Sequence, residues 1–577
     1  ARRELGLGGL IPQVRPTQLH GIEINPYAAA LAQVVIWIGY LQWMRDNGFV
    51  APSNPILDRL QTIENRDAIL DLSDPAHPAP AKWPAADFII GNPPFLGSKV
   101  FRQNGLPDDY VAAMYAAYDL PKTSDLCCYW FELARRAIQA HPTTRVGLLA
   151  TQGIRGRDNR AVLERIAENG SIFMAWSDRD WILDGAAVHV SIVGFGDGTQ
   201  KDRMRDGEPA QRINADLTAD MDLTKAHVLK EDKSVYWLSG TQKSGSFDID
   251  VETARRILAT PTVSGASSAC VVFPWVNGKD IMARTKPRWI IYFDPDWKLE
   301  TVAEFDAAFE YVRANVRPSR CQAPHPKNRE FWWLHERSRP GLLSRLSSVP
   351  RFVVTSRVSK HRVFVWLQGT LVPDCQTFVF ARSDDYFFGV LHSAIHELWS
   401  LRMGTQLEDR PRYTPTTCFE TFPLPWSPGK EPAANPLVEA IASAARELNE
   451  QRERWLNPPE WIEPIARSVD AQDDFADVPE LARPLIRQSA IMARAAQHPQ
   501  LKKRTLTNLY NERPTWLRLA HKKLDQAVLA AYAAIDPDGG WATDWADAWE
   551  DTGAGQPLPA GHAIIARRAE IDQKVLA

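Results

Sequence analysis

Asn92, Pro93, Pro94 and Phe95 are the residues of this chain best suited to hold a reacting group. Asn92 supplies an amide and Phe95 an aromatic face. The two prolines fix φ and have no N–H, so the loop that carries them is stiff and cannot continue a sheet. Phe88-Ile89-Ile90 just before them is a short apolar run, the pattern of a parallel strand covered on both faces, and Gly91 lets the backbone turn. A stiff loop at the carboxyl end of such a strand is where open α/β sheets bind ligands. The plainer alternative is a Pro-Pro strand terminator. A second candidate is Glu23, near the end of the strand-like run Leu19–Ile24. A carboxylate there can accept hydrogen bonds from both hydroxyls of a ribose, as a nucleoside site requires. Alternatively, Glu23 only faces the helix N-terminus that follows.

The elements that must position these residues form an alternating series. Asn25 and Pro26 read as N-cap and first residue of a helix over Tyr27–Met44. That helix is apolar nearly all round, which predicts burial. Gln61–Asn65 reads as the next strand, with Asp67 after it. Residues 75–84 hold four prolines and read as a surface connection. Ser124-Asp125 opens a helix that runs through Arg136, with Asp125 suited to its N-cap. Arg145–Thr151, Ile172–Trp176 and Ala187–Gly194 complete the strands. Strands alternating with helices predict an α/β fold.

Asn92-Pro93-Pro94-Phe95 resembles the catalytic tetrapeptide of amino-methyltransferases that use S-adenosylmethionine. Gly21-Ile22-Glu23-Ile24-Asn25-Pro26-Tyr27-Ala28 and Val35 through Trp43 are more specific. They resemble the methyltransferase domain of the MmeI-like class, modification enzymes of restriction systems. The resemblance implies a Rossmann-like sheet and methylation of adenine N6 in duplex DNA. It makes Asn92, Pro93, Pro94 and Phe95 the catalytic set, with Phe95 stacking on an extruded base. It assigns Glu23, Asn25, Asp67 and Asp125 to the cofactor, with Asp67 on the adenine amine. No metal is expected for methylation. His189 through Val193 resembles the strand that backs the target-base pocket. The family sheet begins with a strand and a Gly-rich turn that this sequence does not show. Gly6-Leu7-Gly8-Gly9 has no strand before it, and Ala1–Leu5 reads as the end of a helix. The expected sheet therefore lacks its first, central strand, between the Glu23 and Asn92 strands, and the chain reads as truncated at its N-terminus.

The second half has a different character. Strand-like runs at Val271–Val276, Trp289–Phe293, Arg351–Val354, Val363–Leu367 and Thr377–Phe380 alternate with helices at Val302–Val316 and Tyr386–Leu401. The net charge of the chain is only −3, yet twelve Arg or Lys stand against two acids between Arg313 and Arg362. Such a basic window is the footprint of phosphate binding. Arg329, Arg337, Arg357, Lys360 and Arg362 are the candidate DNA contacts, while Phe331, Trp332, Trp333 and Phe352 read as core. Asn277 through Asp280, Arg329 through Arg339 and Arg412 through Pro423 resemble the target-recognition region of the same class. Asn435 and Pro436–Leu456 read as a capped amphipathic helix, followed by a helical tail.

The expected organisation is a methyltransferase domain at 1–200, a linker at 201–250, a mixed α+β target-recognition domain at 251–427 and a helical segment at 435–577. The 577 residues have room for this, and six scattered cysteines without a CxxC pair fit a reducing cytoplasm, which the resemblance implies is prokaryotic. The most apolar run, Ala28–Met44, contains Gln33 and Gln42 and falls short of the roughly 20 residues a bilayer span needs. The expected partner is double-stranded DNA. Two alternatives remain: a fused nuclease–methyltransferase, although no acid–acid–Lys constellation is visible here, and a non-catalytic DNA-recognition subunit.

Overall fold

The computed structural model describes residues 12–537, apart from 50–58, 75–76, 103–104, 184–185, most of 220–236, 408–409 and 474. The Gly6–Gly9 and Ala1–Leu5 readings, and the last 40 residues of the expected helical segment, lie outside the described residues. The chain divides into two compact units, residues 1–224 and 225–577.

In the first unit, β1 (Gly21–Glu23) and β2 (Ile63–Asn65) pair in parallel, with Gly21 opposite Ile63. They are joined through helix α1 (Pro26–Asp46), which Asn25 caps by accepting from the N–H groups of Tyr27 and Ala28 at 2.9 and 3.2 Å. Asn65 Nδ2 donates to the carbonyls of Glu23 and Ile24 at 2.8 and 3.0 Å, tying the turn after β1 to β2. A second sheet contains β3 (Phe88–Gly91), β4 (Arg145–Thr151), β5 (Ser171–Leu183), β6 (Ala186–Gly196), β7 (Met204–Arg205) and β8 (Glu208–Pro209), in the order β8-β7-β5-β6-β4-β3. β3 and β4 are parallel, and β6 runs antiparallel to both β4 and β5. Helices α2 (Cys127–Ala140) and α3 (Arg157–Asn169) supply Phe131, Leu133, Val162 and Leu163 to a core against Val146, Leu148 and Phe195 of the sheet. All six strands read from the first 200 residues are present.

Two expectations about burial fail. Among the described residues β3 is an edge strand: Phe88 is 69% and Ile90 86% exposed, and only Ile89 packs against the core. An all-apolar strand need not be covered on both faces, because coverage depends on what pairs beside it. Likewise α1 buries only Ala29 and Met44, while Tyr27, Leu31, Val34, Val35, Ile38 and Trp43 are exposed. Among the described residues its backing is the two-stranded β1–β2 sheet, too narrow to cover a helix that is apolar all round. Its 21 residues are long and apolar enough to cross a bilayer. It stands in the chain, however, between the parallel strands β1 and β2, the arrangement of a crossover helix. Residues 201–250 are also more than a linker: β7 and β8 extend the first unit's sheet. Further along, β9 (Trp237–Ser239) and β10 (Asp248–Ile249) belong to sheets of the second unit.

The second unit is α+β. With β11 (Val272–Val276), β12 (Arg288–Ile291), β13 (Arg351–Ser356), β14 (Phe364–Gln368), β15 (Val372–Pro373) and β16 (Thr377–Phe380) it builds two four-stranded sheets, β9-β16-β13-β14 and β10-β12-β11-β15. The expected helix at 386–401 is two, α4 (Asp385–His392) and α5 (Ala394–Met403), because Ser393 leaves the helical conformation and caps the second. The helical tail follows as α6 (Pro436–Leu456), α7 (Pro459–Gln472), α8 (Arg483–Gln497), α9 (Leu506–Glu512) and α10 (Thr515–Ile535). The tail is not a separate domain. Val469, Ile486 and Ile491 share one core with Phe273, Trp289 and Trp332 of the recognition part. Arg452 of α6 is buried against β14, donating to the Phe364 carbonyl at 2.9 Å and to His392 Nε2 at 2.7 Å.

Candidate active site and nucleic-acid interface

The carboxyl ends of β1 and β3 border a cavity of about 810 Å3. Its wall includes Glu23, Asp67, Tyr110, Trp130 and the Phe88–Pro94 run. The position follows from the chain: both strands end in turns that cannot extend a sheet, so their last residues project into the same space. Asn92 is exposed at the rim, Pro93 is buried, and Phe95 is partly covered just beyond. Gly91 permits close packing of the two parallel strands, since a Cβ there would lie 3.2 Å from Leu148 Cδ2. The cavity thus brings Asn92, Pro93, Pro94, Glu23 and Asp67 together.

The acids differ in how much of their bonding is used within the chain. Glu23 Oε1 accepts from the Asn25 N–H at 2.8 Å, and among the described residues no other bond engages this carboxylate. Asp67 Oδ1 accepts from the N–H groups of Ile69 and Leu70 at 2.6 and 3.0 Å, and its Oδ2 accepts from the Tyr110 hydroxyl at 2.8 Å. Asp67 therefore shapes its own loop and still lines the cavity. Burial, reinforced by the Asp67 charge, pushes the Tyr110 phenol well above its ordinary range, so it stays a donor. Tyr110 and Trp130 were missed in the sequence. Their helices show no chemical motif, and only the fold turns them toward the site.

Two expected cofactor residues are placed elsewhere. The Asn25 side chain is occupied as the N-cap of α1. Asp125 lies outside the cavity wall, with both carboxylate oxygens bonded within the protein, to Ser98 N–H at 3.3 Å and to Asn159 Nδ2 at 2.7 Å. His189 of β6 bonds Asp178 through Nδ1 at 2.8 Å.

The cations of the basic window divide sharply. Arg329 and Arg337 are exposed, and Arg329 donates to the carbonyls of Ala323 and Pro324 at 2.7 and 3.0 Å. Arg357 is partly buried; burial first, then the nearby Arg412 and Arg337, lowers its pKa. Lys360 donates to Asn511 at 2.8 Å. Arg362 must be withdrawn as a surface contact. It is 7% exposed, stacks on Tyr413 and donates to Thr355 Oγ1 at 3.0 Å and to the carbonyls of Ser356 and Pro411. Arg320 is also buried, and Arg351 is paired with Asp385 at 2.7 Å. Trp332, Trp333 and Phe352 are core, as expected, but Phe331 is 36% exposed and meets the core through an edge contact with Trp333. Among the described residues no cluster of three or more His, Cys, Asp or Glu is placed to hold a metal.

Residues 3–206 match the family description "MmeI, DNA-methyltransferase domain", and residues 242–426 match "MmeI, target recognition domain". The chain belongs to the MmeI family. The two matches run through both units and contain the Asn92 loop and the basic window respectively. The fold agrees. The structure of the type IIL restriction-modification enzyme MmeI in complex with DNA superposes with a TM-score of 0.63 at 19% identity, covering 98% of this chain and 67% of that one. DNA methyltransferase A of Bacillus subtilis (strain 168) is 26% identical over 196 residues, 32% of this chain. That match spans only 22% of the length of the curated relative.

Proposed function

We propose that this chain is the modification part of a restriction-modification system, transferring a methyl group from S-adenosylmethionine to adenine N6 at a specific site in duplex DNA in the prokaryotic cytoplasm. The observation that carries the proposal is the single cavity shared by the Asn92–Pro94 rim and by Glu23 and Asp67. A nucleoside-containing cofactor fits this donor set. Glu23 has carboxylate capacity left for ribose hydroxyls, Asp67 stands where an amine can be met, and the remaining wall is largely apolar. When bound, the cofactor supplies an electrophilic methyl group on a sulfonium.

The chain's own work is positioning. The target amine is unreachable inside the duplex, so the base must be turned out of the stack. Phe95 stands just beyond the cavity rim and offers a face to that base; such stacking is worth roughly 1–3 kcal/mol. The Asn92 amide oxygen and the Pro93 carbonyl accept from the two amine hydrogens, which aims the nitrogen lone pair away from them and toward the methyl group. Nitrogen gains the methyl as the sulfonium loses it, and the amine then sheds one proton to solvent. Because a cationic sulfonium would release its methyl group as a neutral thioether, geometry matters more than a strong base. Arg329, Arg337 and Arg357 are the proposed phosphate contacts, with Lys360 a weaker candidate because Asn511 engages it.

Asn92→Ala should abolish methyl transfer and leave DNA affinity within a few fold. The assay is mass spectrometry of nucleosides after incubation with cofactor and unmethylated DNA. N6-methyladenine made by Asn92→Ala at near the unsubstituted rate would refute the assignment, and N4-methylcytosine would move the target to cytosine. One observation favours a second reading, a DNA-recognition subunit without catalysis: among the described residues the β1–β2 sheet and the six-stranded sheet are not hydrogen-bonded to each other. A calorimetric titration with S-adenosylmethionine separates the two readings.

A further inference from the structure

Three segments meet immediately downstream of Phe95. The Leu96 carbonyl accepts from the Leu126 N–H at 2.9 Å, and Ser98 Oγ donates to the Thr123 carbonyl at 2.9 Å. The Ser98 N–H donates to Asp125 Oδ1 at 3.3 Å. Asp125 and Asn159 then bond reciprocally: Asn159 Nδ2 donates to Asp125 Oδ2 at 2.7 Å, and the Asp125 N–H donates to Asn159 Oδ1 at 2.7 Å. Asn159 Nδ2 also reaches the Gly153 carbonyl at 3.1 Å. Gly97 and Gly153 both face the Asp125 carboxylate, at contact distance: a Cβ at Gly97 would lie 3.6 Å from Oδ1 and one at Gly153 3.7 Å from Oδ2. β3 and β4 are adjacent and parallel, so the loops leaving their carboxyl ends are neighbours. Asn159 lies in the first turn of α3 and also holds Gly153 of the turn after β4, so the Asp125–Asn159 pair fastens the segment after β3 to the start of α3.

We infer that Asp125 and Asn159 are positioning residues that fix where the Asn92–Phe95 loop leaves the sheet. Pro93 and Pro94 stiffen only the first half of that loop. Phe95 through Ser98 has no proline and contains Gly97, so its course depends on bonds from outside. The pair thereby sets the distance from the Asn92 amide to the target amine, where a displacement of roughly 1 Å costs on the order of a hundredfold in rate. Neither residue lines the cavity, so neither acts by touching cofactor or base. The catalytic half of this inference rests on the methyltransferase reading.

The test compares Asp125→Ala, Asn159→Ala and the exchanged pair Asp125→Asn with Asn159→Asp. In the exchanged pair an amide at 125 meets a carboxylate at 159, which restores the link but not the bond to Gly153. Hydrogen–deuterium exchange on the full chain is read at residues 92–98. Exchange there should quicken at least tenfold in each single variant and slow again in the exchanged pair, with residues 127–196 unchanged. Unaltered exchange at 92–98, or a loss spread through 127–196, overturns the inference. Methyl transfer from tritiated S-adenosylmethionine to unmethylated phage DNA gives the second measurement. The single variants should lose at least tenfold in kcat while cofactor KM and DNA affinity stay within twofold. A weakened KM with kcat preserved overturns the inference. An unsubstituted chain that transfers no methyl group, yet shows the stated exchange pattern, removes the methyltransferase reading and upholds the fastening.

Discussion

Replacing Arg452 with alanine should loosen the whole second unit. The guanidinium is 1% exposed and donates to the Phe364 carbonyl at 2.9 Å and to His392 Nε2 at 2.7 Å. Without it, the Phe364 carbonyl loses this donor and His392 Nε2 keeps only the long 3.4 Å bond from the Phe364 N–H, at about 1–3 kcal/mol each. Deleting most of a large buried side chain adds a cavity penalty of similar size. Against this, no carboxylate pairs with Arg452 among the described bonds and its Nε has no partner, so removing a poorly compensated charge returns part of the loss. The balance is a destabilisation of about 3–5 kcal/mol for Arg452→Ala. Arg452→Met fills more of the space and should cost less. Urea denaturation of the full chain measures both, with hydrogen–deuterium exchange to locate the effect. Residues 364–368 of the recognition sheet and 506–535 of the tail should lose protection together. A change below about 1 kcal/mol, or loss of protection in the tail alone, would show that the two parts do not share a core through this residue.

The second unit should also be acid-sensitive. Burial depresses His335 and His521 to about 3 and His361 and His396 to about 4, so all four are neutral when folded. The unfolded chain takes up protons below about pH 6.5, so stability is fully present above that pH and falls as pH drops from 6.5 toward 4. Thermal melts between pH 7 and pH 4.5 should show this, and a flat profile would contradict it. DNA affinity should fall steeply with salt, by roughly 0.9 in log–log slope per phosphate contact. Neutralising Arg329, Arg337 and Arg357 should flatten that slope, whereas neutralising Arg362 should lower stability instead. A slope unaltered by the first set would make them a solvated face.

The strands were legible as short apolar runs between polar stretches, such as Val146–Ala150 and the β-branched and aromatic Thr377–Phe380. The Asn92 and Glu23 ends were legible because their turns are written in Pro and Asn. Burial was not. The residues of α1 and β3 state that they are apolar, but the neighbours that would cover them are specified elsewhere in the chain. β7 and β8 have two residues each and pair through backbone alone, so no side-chain period announces them. Counting charges could not distinguish Arg337 from Arg362, since the latter's partners are a hydroxyl and carbonyls drawn from two separate segments, 355–356 and 411. The Asp125–Asn159 bond spans 34 residues and leaves no local pattern.

The shared core of recognition sheets and helical tail bears on how specificity can be exchanged between relatives. A graft cut near residue 430 would sever Arg452 from Phe364 and Val469 from the core that holds Trp289. Each fragment would then carry a wound of exposed apolar surface into its new host. The natural seam lies at residues 224 and 225, where the chain passes between its compact units. Recognition should therefore travel as a cassette that includes α6 through α10, and variation in base preference should be inherited together with compensating changes in the tail.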